Sequence, residues 1–193
     1  QLAIHAMDMM RQQVRPESRI GTWIIAGGTA SNVIPDFGEL EVTVRHTERE
    51  YLNGLSEQIK KIFEGAALCT GTTVDVEFYG NPYDDMNQNH RGTVLIENVM
   101  SDMGIDFKPG PADIGGSSDI GNVSYQCAAF HPKLRLAGED KVCHSKEFAA
   151  AMLESTIEQT IVDGANIIGR TLLRLVENPA VLEEIVAEFN ATK

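Results

Sequence analysis

The chain has 193 residues, 42% of them hydrophobic, the composition of an ordinary globular protein with room for one domain or two small ones. Sixteen Lys and Arg against 28 Asp and Glu leave a net charge of −12, which repels nucleic-acid phosphates and anionic lipid surfaces and argues against both as partners. The apolar stretches are too short to span a bilayer, and the amino terminus lacks a basic segment followed by an apolar one, so the expected location is the cytoplasm. The chain opens at Gln1, inside what reads as a helix, so a signal further upstream would not be visible in it.

Leu2, Ile4, Ala6, Met7, Met10 and Val14 form a rough helical stripe. It ends before Arg15-Pro16, because a residue preceding proline avoids helical geometry. Thr22 to Ala26 is an apolar, β-rich run. A turn of small residues follows, Gly27 to Asp36, in which two glycines loosen the backbone and Pro35 stops any ladder. Leu40, Val42 and Val44 then alternate with Glu39, Glu41, Thr43 and Arg45, the period of a half-buried strand with Arg45 on its polar face. Tyr51, Leu52, Leu55, Ile59, Ile62, Phe63 and Ala66 return to helical spacing, with Gly71 just past the end. Val74, Val76 and Phe78 alternate with Asp75, Glu77 and Tyr79, which predicts a third strand.

The order helix, strand, strand, helix, strand is that of a split βαβ sandwich lacking its first strand. Residues 80–85 are dense in turn formers and read as the way out of this region, which places a first domain at 1–82 and a second at 83–193. In the second, Val94, Leu95, Val99 and Met103 predict a short helix closed by Gly104, followed by a loop to Ser118. Val123 to Phe130 is apolar enough for a buried strand, and Leu134 to Ala137 for another. From Ser145 a long helix is expected, with Phe148, Met152, Ile157, Ile161, Ala165, Ile168, Leu172 and Leu175 on its apolar face. Asn178-Pro179 then caps and opens a last helix through Leu182, Ile185, Val186 and Phe189.

Cys69, Cys127 and Cys143 are an odd set with no CxxC pair, so reduced thiols are expected rather than a disulfide framework or a cysteine zinc cage. Cys143 beside His144 fits a buried small apolar residue better than a thiol nucleophile. Three segments could carry chemistry. Around the first turn, Asn32 and Arg45 either clamp a substrate or belong to an ordinary hairpin, Asn32 capping a turn and Arg45 lying in solvent. Gly115 to Ser124 is a polar glycine-rich loop entering a predicted strand; no Gly-Lys-Ser/Thr follows, so it is not a nucleotide-phosphate loop, and it reads equally as a tight turn or a ligand contact. His144 sits just before the N-cap Ser of the long helix, suited to offering a ring nitrogen to a metal, although a lone loop histidine also serves as a surface or capping residue. His46 and His90 show no motif, and Glu183-Glu184 reads as solvated charge on the last helix.

The run GGTASNVIPD followed by a strand ending in VRH resembles the lid signature of the dinuclear-zinc aminoacylase and exopeptidase family. The resemblance is nearest to its amidohydrolase branch, which includes the p-aminobenzoyl-glutamate hydrolases. It runs along nearly the whole chain through three motifs in order, the others being GGSSDIGNVS, with Ser118 where the branch has Thr, and His144-Ser145. It implies an α/β architecture: an α+β lid of split βαβ type, also a dimerisation surface, followed by the carboxy-terminal part of an α/β zinc-hydrolase domain. It further implies that Asn32 meets the substrate carbonyl and Arg45 its carboxylate, that Gly116, Ser117 and Asp119 line the rim, and that His144 is the last metal ligand. His131-Pro132 matches a pair seen in the branch, either as substrate contact or as a turn.

The family's remaining metal ligands and general base, a His-x-Asp element, a bridging Asp and a Glu-Glu pair, precede the lid and have no counterpart in this chain. His5 matches the lid histidine poorly and takes no role. The implied activity is hydrolysis of an amide or peptide bond next to a free carboxylate by water activated on two zinc ions, with manganese or cobalt as substitutes, in a homodimer. By itself such a chain would be inactive. Two rivals stay open: a non-catalytic dimerisation module, and a small-molecule binder that uses Asn32 and Arg45 without metal.

Overall fold

Helical spacing in the first residues becomes α1 (Leu2–Met10), shorter than the stripe that runs on to Val14. In the computed structural model, which describes residues 1–110, 116–136 and 141–192, the chain divides into two compact units, Gln1–Asp85 and Met86–Lys193. In the first unit α1 is followed by β1 (Arg19–Ala26), β2 (Glu39–Arg45) and α2 (Arg49–Thr70). β1 and β2 pair antiparallel, from Arg19 opposite Arg45 through Trp23 opposite Glu41, with an irregularity between Ile24 and Ala26.

Because side chains alternate across a strand, one face of this ribbon carries Ile20, Val42 and Val44. That face packs with Met7, Leu55 and Ile59 from the two helices, and Met7 is fully buried. Burying such side chains contributes about 1.5–3 kcal/mol each, which a two-stranded ribbon could not supply alone. α2 ends at Gly71, whose φ of 68° is left-handed, while the Thr72 N–H returns to the Ala67 carbonyl at 3.0 Å. Glycine adopts this conformation with less strain than a residue that carries a Cβ.

The third strand expected over Val74 to Phe78 does not form: the sheet has two strands, and residues 72–79 join no ladder. Alternation specifies which side chains could share a face but does not by itself pair backbones: β1 and β2 each keep an open edge among the described residues, and this segment takes neither. Its link to β2 is electrostatic: the Glu41 carboxylate raises the pKa of the exposed Tyr79 hydroxyl. The turn at 80–85 is held by the start of α2, where the Arg49 amide donates to Asp85 at 3.1 Å and its guanidinium to the Tyr83 carbonyl at 3.1 Å.

The second unit is helical among the described residues: α3 (His90–Asp102), α4 (Ile120–Ser124), α5 (Lys146–Ala151), α6 (Thr156–Glu177) and α7 (Pro179–Thr192). Ile96, Val99, Met100 and Ile167 form its core, with Phe107, Phe130 and Leu134 packed against them. Asn89 organises the start of α3. Its carboxamide oxygen accepts from the Gly92 amide at 2.9 Å, and its nitrogen donates to the Ile185 carbonyl of α7, also at 2.9 Å. Glu188 of α7 adds a second cap, accepting from the amides of His90 and Arg91 at 2.9 and 2.8 Å. These groups satisfy donors that a helix start leaves without partners.

Three expectations for this unit are corrected. Val123 to Phe130 is not a strand: its start is the end of α4, where the buried Ser124 hydroxyl donates to the Gly121 carbonyl and accepts the Asn87 amide at 2.9 Å. Only Ala129 and Phe130 of the apolar run turn into the core, the former being buried. Residues 134–136 form no strand either, and Ala137 lies outside the described residues.

The long helix from Ser145 is two helices, α5 and α6, separated by a turn over Met152–Ser155. Ala151 and Ile157 are both buried. In one continuous helix they would point about 120° apart, so the break lets both face inward. In α6 the buried positions are Ile157, Ile167 and Thr171, whereas the expected Ile161, Ile168 and Leu172 are 64%, 62% and 58% exposed. The last helix begins at Pro179, as its Asn-Pro start predicts.

Candidate functional site

Asn32 and Arg45 belong to the first unit, and the other candidate residues to the second. Asn32 is exposed in the turn between β1 and β2. Gly28 shapes that turn: its φ is 110°, and a Cβ there would stand 2.8 Å from the Pro35 ring. Only glycine allows both the backbone conformation and the close approach. The Val33 amide bonds the Ala30 carbonyl at 3.3 Å, so Asn32 rides on a turn closed by backbone bonding and by Pro35. Ile34 beside it is 93% exposed.

Arg45 is the last residue of β2 and is exposed, on the face away from α1 and α2, as its strand period predicts. His46, which carries no motif in the sequence, anchors the strand end. Its ring packs on Tyr51 at 4.3 Å between centroids, and its Nδ1 accepts from the Glu48 amide at 2.9 Å. The His46 side chain is 1% exposed, and its Nε2 has no hydrogen-bond partner, the nearest carboxylate oxygen being that of Glu17 at 4.0 Å. An acceptor Nδ1 puts the proton of the neutral ring on Nε2. Arg15 also lies over the Tyr51 ring, 4.4 Å from its centroid, and pairs with Glu48 at 2.6 Å. His46 thus anchors the backbone just after Arg45. Its only sequence signal was its place between a strand and a helix start.

In the second unit Gly116, Ser117 and Asp119 are exposed. Asp119 occupies the N-cap position of α4 without a side-chain cap bond, and the Ser118 hydroxyl accepts from the Ile120 amide at 3.4 Å. Gly115 lies outside the described residues. His131 is exposed, next to Pro132.

His144 is exposed and has a φ of 67°, a left-handed conformation uncommon for any residue with a side chain. Ser145 behind it caps α5, its hydroxyl accepting from the Phe148 amide at 3.0 Å. The cap is where the sequence puts it; the helix it opens is the six-residue α5 rather than a long one. Cys143 is exposed, which corrects the buried reading, and all three cysteines are free. Glu184 is exposed and pairs with Arg91 at 2.7 Å, the solvated charge expected of it.

A zinc ion needs three or four ligands. Among the described residues no group of three or more His, Cys, Asp or Glu side chains is gathered to hold one. His144 by itself is one imidazole, so the described residues alone do not complete a metal site. No helix among the described residues is long and apolar enough to cross a membrane.

No family model matches the chain. It is similar to Xaa-Arg dipeptidase of Mus musculus, 29% identical over 191 residues, and to that of Homo sapiens, 28% identical over 195 residues. Each match covers 97% of this chain and 44% of the dipeptidase, so the chain spans less than half the length of these relatives. It is also similar to N-acetyldiaminopimelate deacetylase of Leuconostoc citreum, 38% identical over 64 residues, which is 33% of this chain and 16% of the deacetylase. All of these relatives are named as hydrolases, and the similarities support the aminoacylase and exopeptidase family to which the motifs point.

Proposed function

We propose that this chain is the lid and carboxy-terminal part of an amidohydrolase or exopeptidase that cleaves an amide bond next to a free carboxylate. The substrate class is an N-acyl amino acid, an aminobenzoyl-glutamate or a dipeptide-like compound, the aminobenzoyl-glutamate branch being the finer reading. The observation that carries the proposal is similarity to dipeptidases over 97% of the chain. Arg45 takes the substrate carboxylate, because a guanidinium offers two parallel N–H donors matched to two oxygens. Asn32 donates its side-chain N–H to the scissile carbonyl oxygen, an interaction that strengthens as charge builds there. The turn closed over Pro35 and the His46 anchor fix the backbone that carries these two groups, which supports the reading by lowering the cost of ordering them.

Gly116, Ser117, Asp119 and His131 are proposed as substrate contacts and His144 as a metal ligand whose companions come from outside the described residues. A pair of zinc ions, or manganese or cobalt, would supply the activated water in the full-length protein. The lid unit is proposed to mediate a homodimer, and the cytoplasm is the proposed location.

The test is hydrolysis of N-acyl amino acids and dipeptides by the full-length protein, compared with the same compounds capped as carboxamides. Cleavage confined to the free acids, with kcat/KM lowered about 30- to 100-fold in R45Q, is the expected result, matching the loss of a hydrogen bond to a charged group. Equal cleavage of acids and capped amides, or an R45Q enzyme with unchanged kcat/KM, would overturn it.

A further inference from the structure

Arg19 and Arg45 are partners in the β1–β2 ladder. Directly opposed residues of an antiparallel pair project from one face, so the two arginine side chains leave the backbone at neighbouring positions, opposite the face packed on the helices. Like charges in that relation destabilise a sheet. In a chain with 28 acidic residues, a neighbouring carboxylate would be the ordinary remedy. None is paired with either group among the described residues: the ion pairs of the first unit involve Arg11, Arg15, His46 and Arg49.

Arg19 is also held in place. Its Nη1 donates to the carbonyls of Pro16 and Ser18 at 2.6 and 2.8 Å. Those bonds orient the guanidinium without neutralising it, and they leave Nε and Nη2 as donors for another acceptor. The next pair along the face is Gly21 and Thr43, and a Cβ at Gly21 would meet only Thr43, at 3.9 Å. No bulky side chain stands beside the two cations there.

We propose that Arg19 and Arg45 bind one carboxylate between them, which makes Arg19 a second carboxylate-binding residue of this face. The inference rests on the reading of Arg45 as the grip for a substrate carboxylate. Two carboxylate oxygens carry about four acceptor sites, enough for both guanidinium groups at once. The bound anion then cancels the repulsion between the opposed cations.

The experiment follows the arginine Nε–H signals of the chain by NMR. The titrants are N-acetylglycine, its neutral amide N-acetylglycinamide, and inorganic phosphate at matched ionic strength. N-acetylglycine is expected to move both signals with one apparent affinity, the amide neither, and phosphate to compete weakly. R19Q and R45Q are each expected to weaken N-acetylglycine about tenfold, about one charge-assisted contact. Should R19Q fail to fold, R19K, which keeps the charge and loses the fork, is expected to bind more weakly than wild type. If R19Q or R19K binds as wild type does while R45Q does not bind, the paired site is overturned and the Arg45 reading stands. If N-acetylglycine moves neither signal, both are overturned. Phosphate binding as tightly as the carboxylate would overturn the carboxylate assignment alone.

Discussion

The ring of Phe130 occupies the space beside Gly92: a Cβ built on Gly92 would lie 1.7 Å from the ring's Cε1 and 2.2 Å from its Cζ. Gly92 stands in the first turn of α3, where its amide is capped by Asn89, so the helix start and the ring are fitted to each other. The glycine is required by close approach, with nothing unusual in its backbone. Gly92→Ala is expected to destabilise the chain by about 1–3 kcal/mol, the range for overpacking a core. Urea denaturation measures it. Phe130→Leu should cost less in the Gly92→Ala background than in wild type, since the smaller side chain vacates the contested space; strictly additive losses would refute the fit.

The caps of α3 come from two different residues, so their losses should differ. Asn89→Ala removes the Gly92 cap and the donor to the Ile185 carbonyl, at a site 3% exposed. It is expected to cost about 2 kcal/mol, combining a lost cap with a buried hydrogen bond. Glu188→Ala removes two acceptors at an exposed surface and should cost about 1 kcal/mol. Thermal unfolding of both variants gives the order, and an equal or reversed order would contradict the burial argument.

Tyr79 provides the pH dependence. The Glu41 carboxylate, first as a hydrogen-bond acceptor and, after a desolvation contribution, through its charge, raises the Tyr79 pKa above the ordinary tyrosine value. A group whose folded pKa is raised contributes stability that is complete below its unfolded value and is lost as pH climbs through the folded value. Absorbance titration at alkaline pH should therefore show Tyr79 ionising late. In Glu41→Gln Tyr79 should move back toward the ordinary tyrosine value. A titration unchanged by Glu41→Gln would remove the tie between β2 and the segment before Gly80.

His144 separates a backbone preference from a side-chain role. Its φ of 67° suits glycine better than any residue with a Cβ. His144→Gly should leave the thermal midpoint equal or raise it, by up to about 1 kcal/mol in stability, while His144→Ala should not. In the full-length protein both substitutions are expected to abolish hydrolysis if the imidazole binds metal. Full activity in His144→Gly would assign the residue to the turn alone.

Local chemistry was readable in this chain wherever a residue type answers a nearby need. Gly71 past a helical stripe, Pro179 at a helix start, Ser145 before its helix and the alternation that puts Arg45 on a polar face all follow from interactions within a few residues. Asn32 on a turn bounded by Gly28 and Pro35 belongs to the same class. The tertiary structure decided what depends on distant partners. Val74 to Phe78 alternates like a strand but joins neither edge of the two-stranded sheet, and the run before Phe130 is apolar but spends its first residues in α4. In α6 two adjacent stripes are apolar, and packing on α3 buried the one containing Ile167 and left Ile168 and Leu172 in solvent. The opposed arginines, the Gly92–Phe130 fit and the anchoring of His46 on Tyr51 are likewise matters of register and packing. Periodicity tells which residues share a face; only the free energy of burying one face against a particular neighbour selects among faces that look alike.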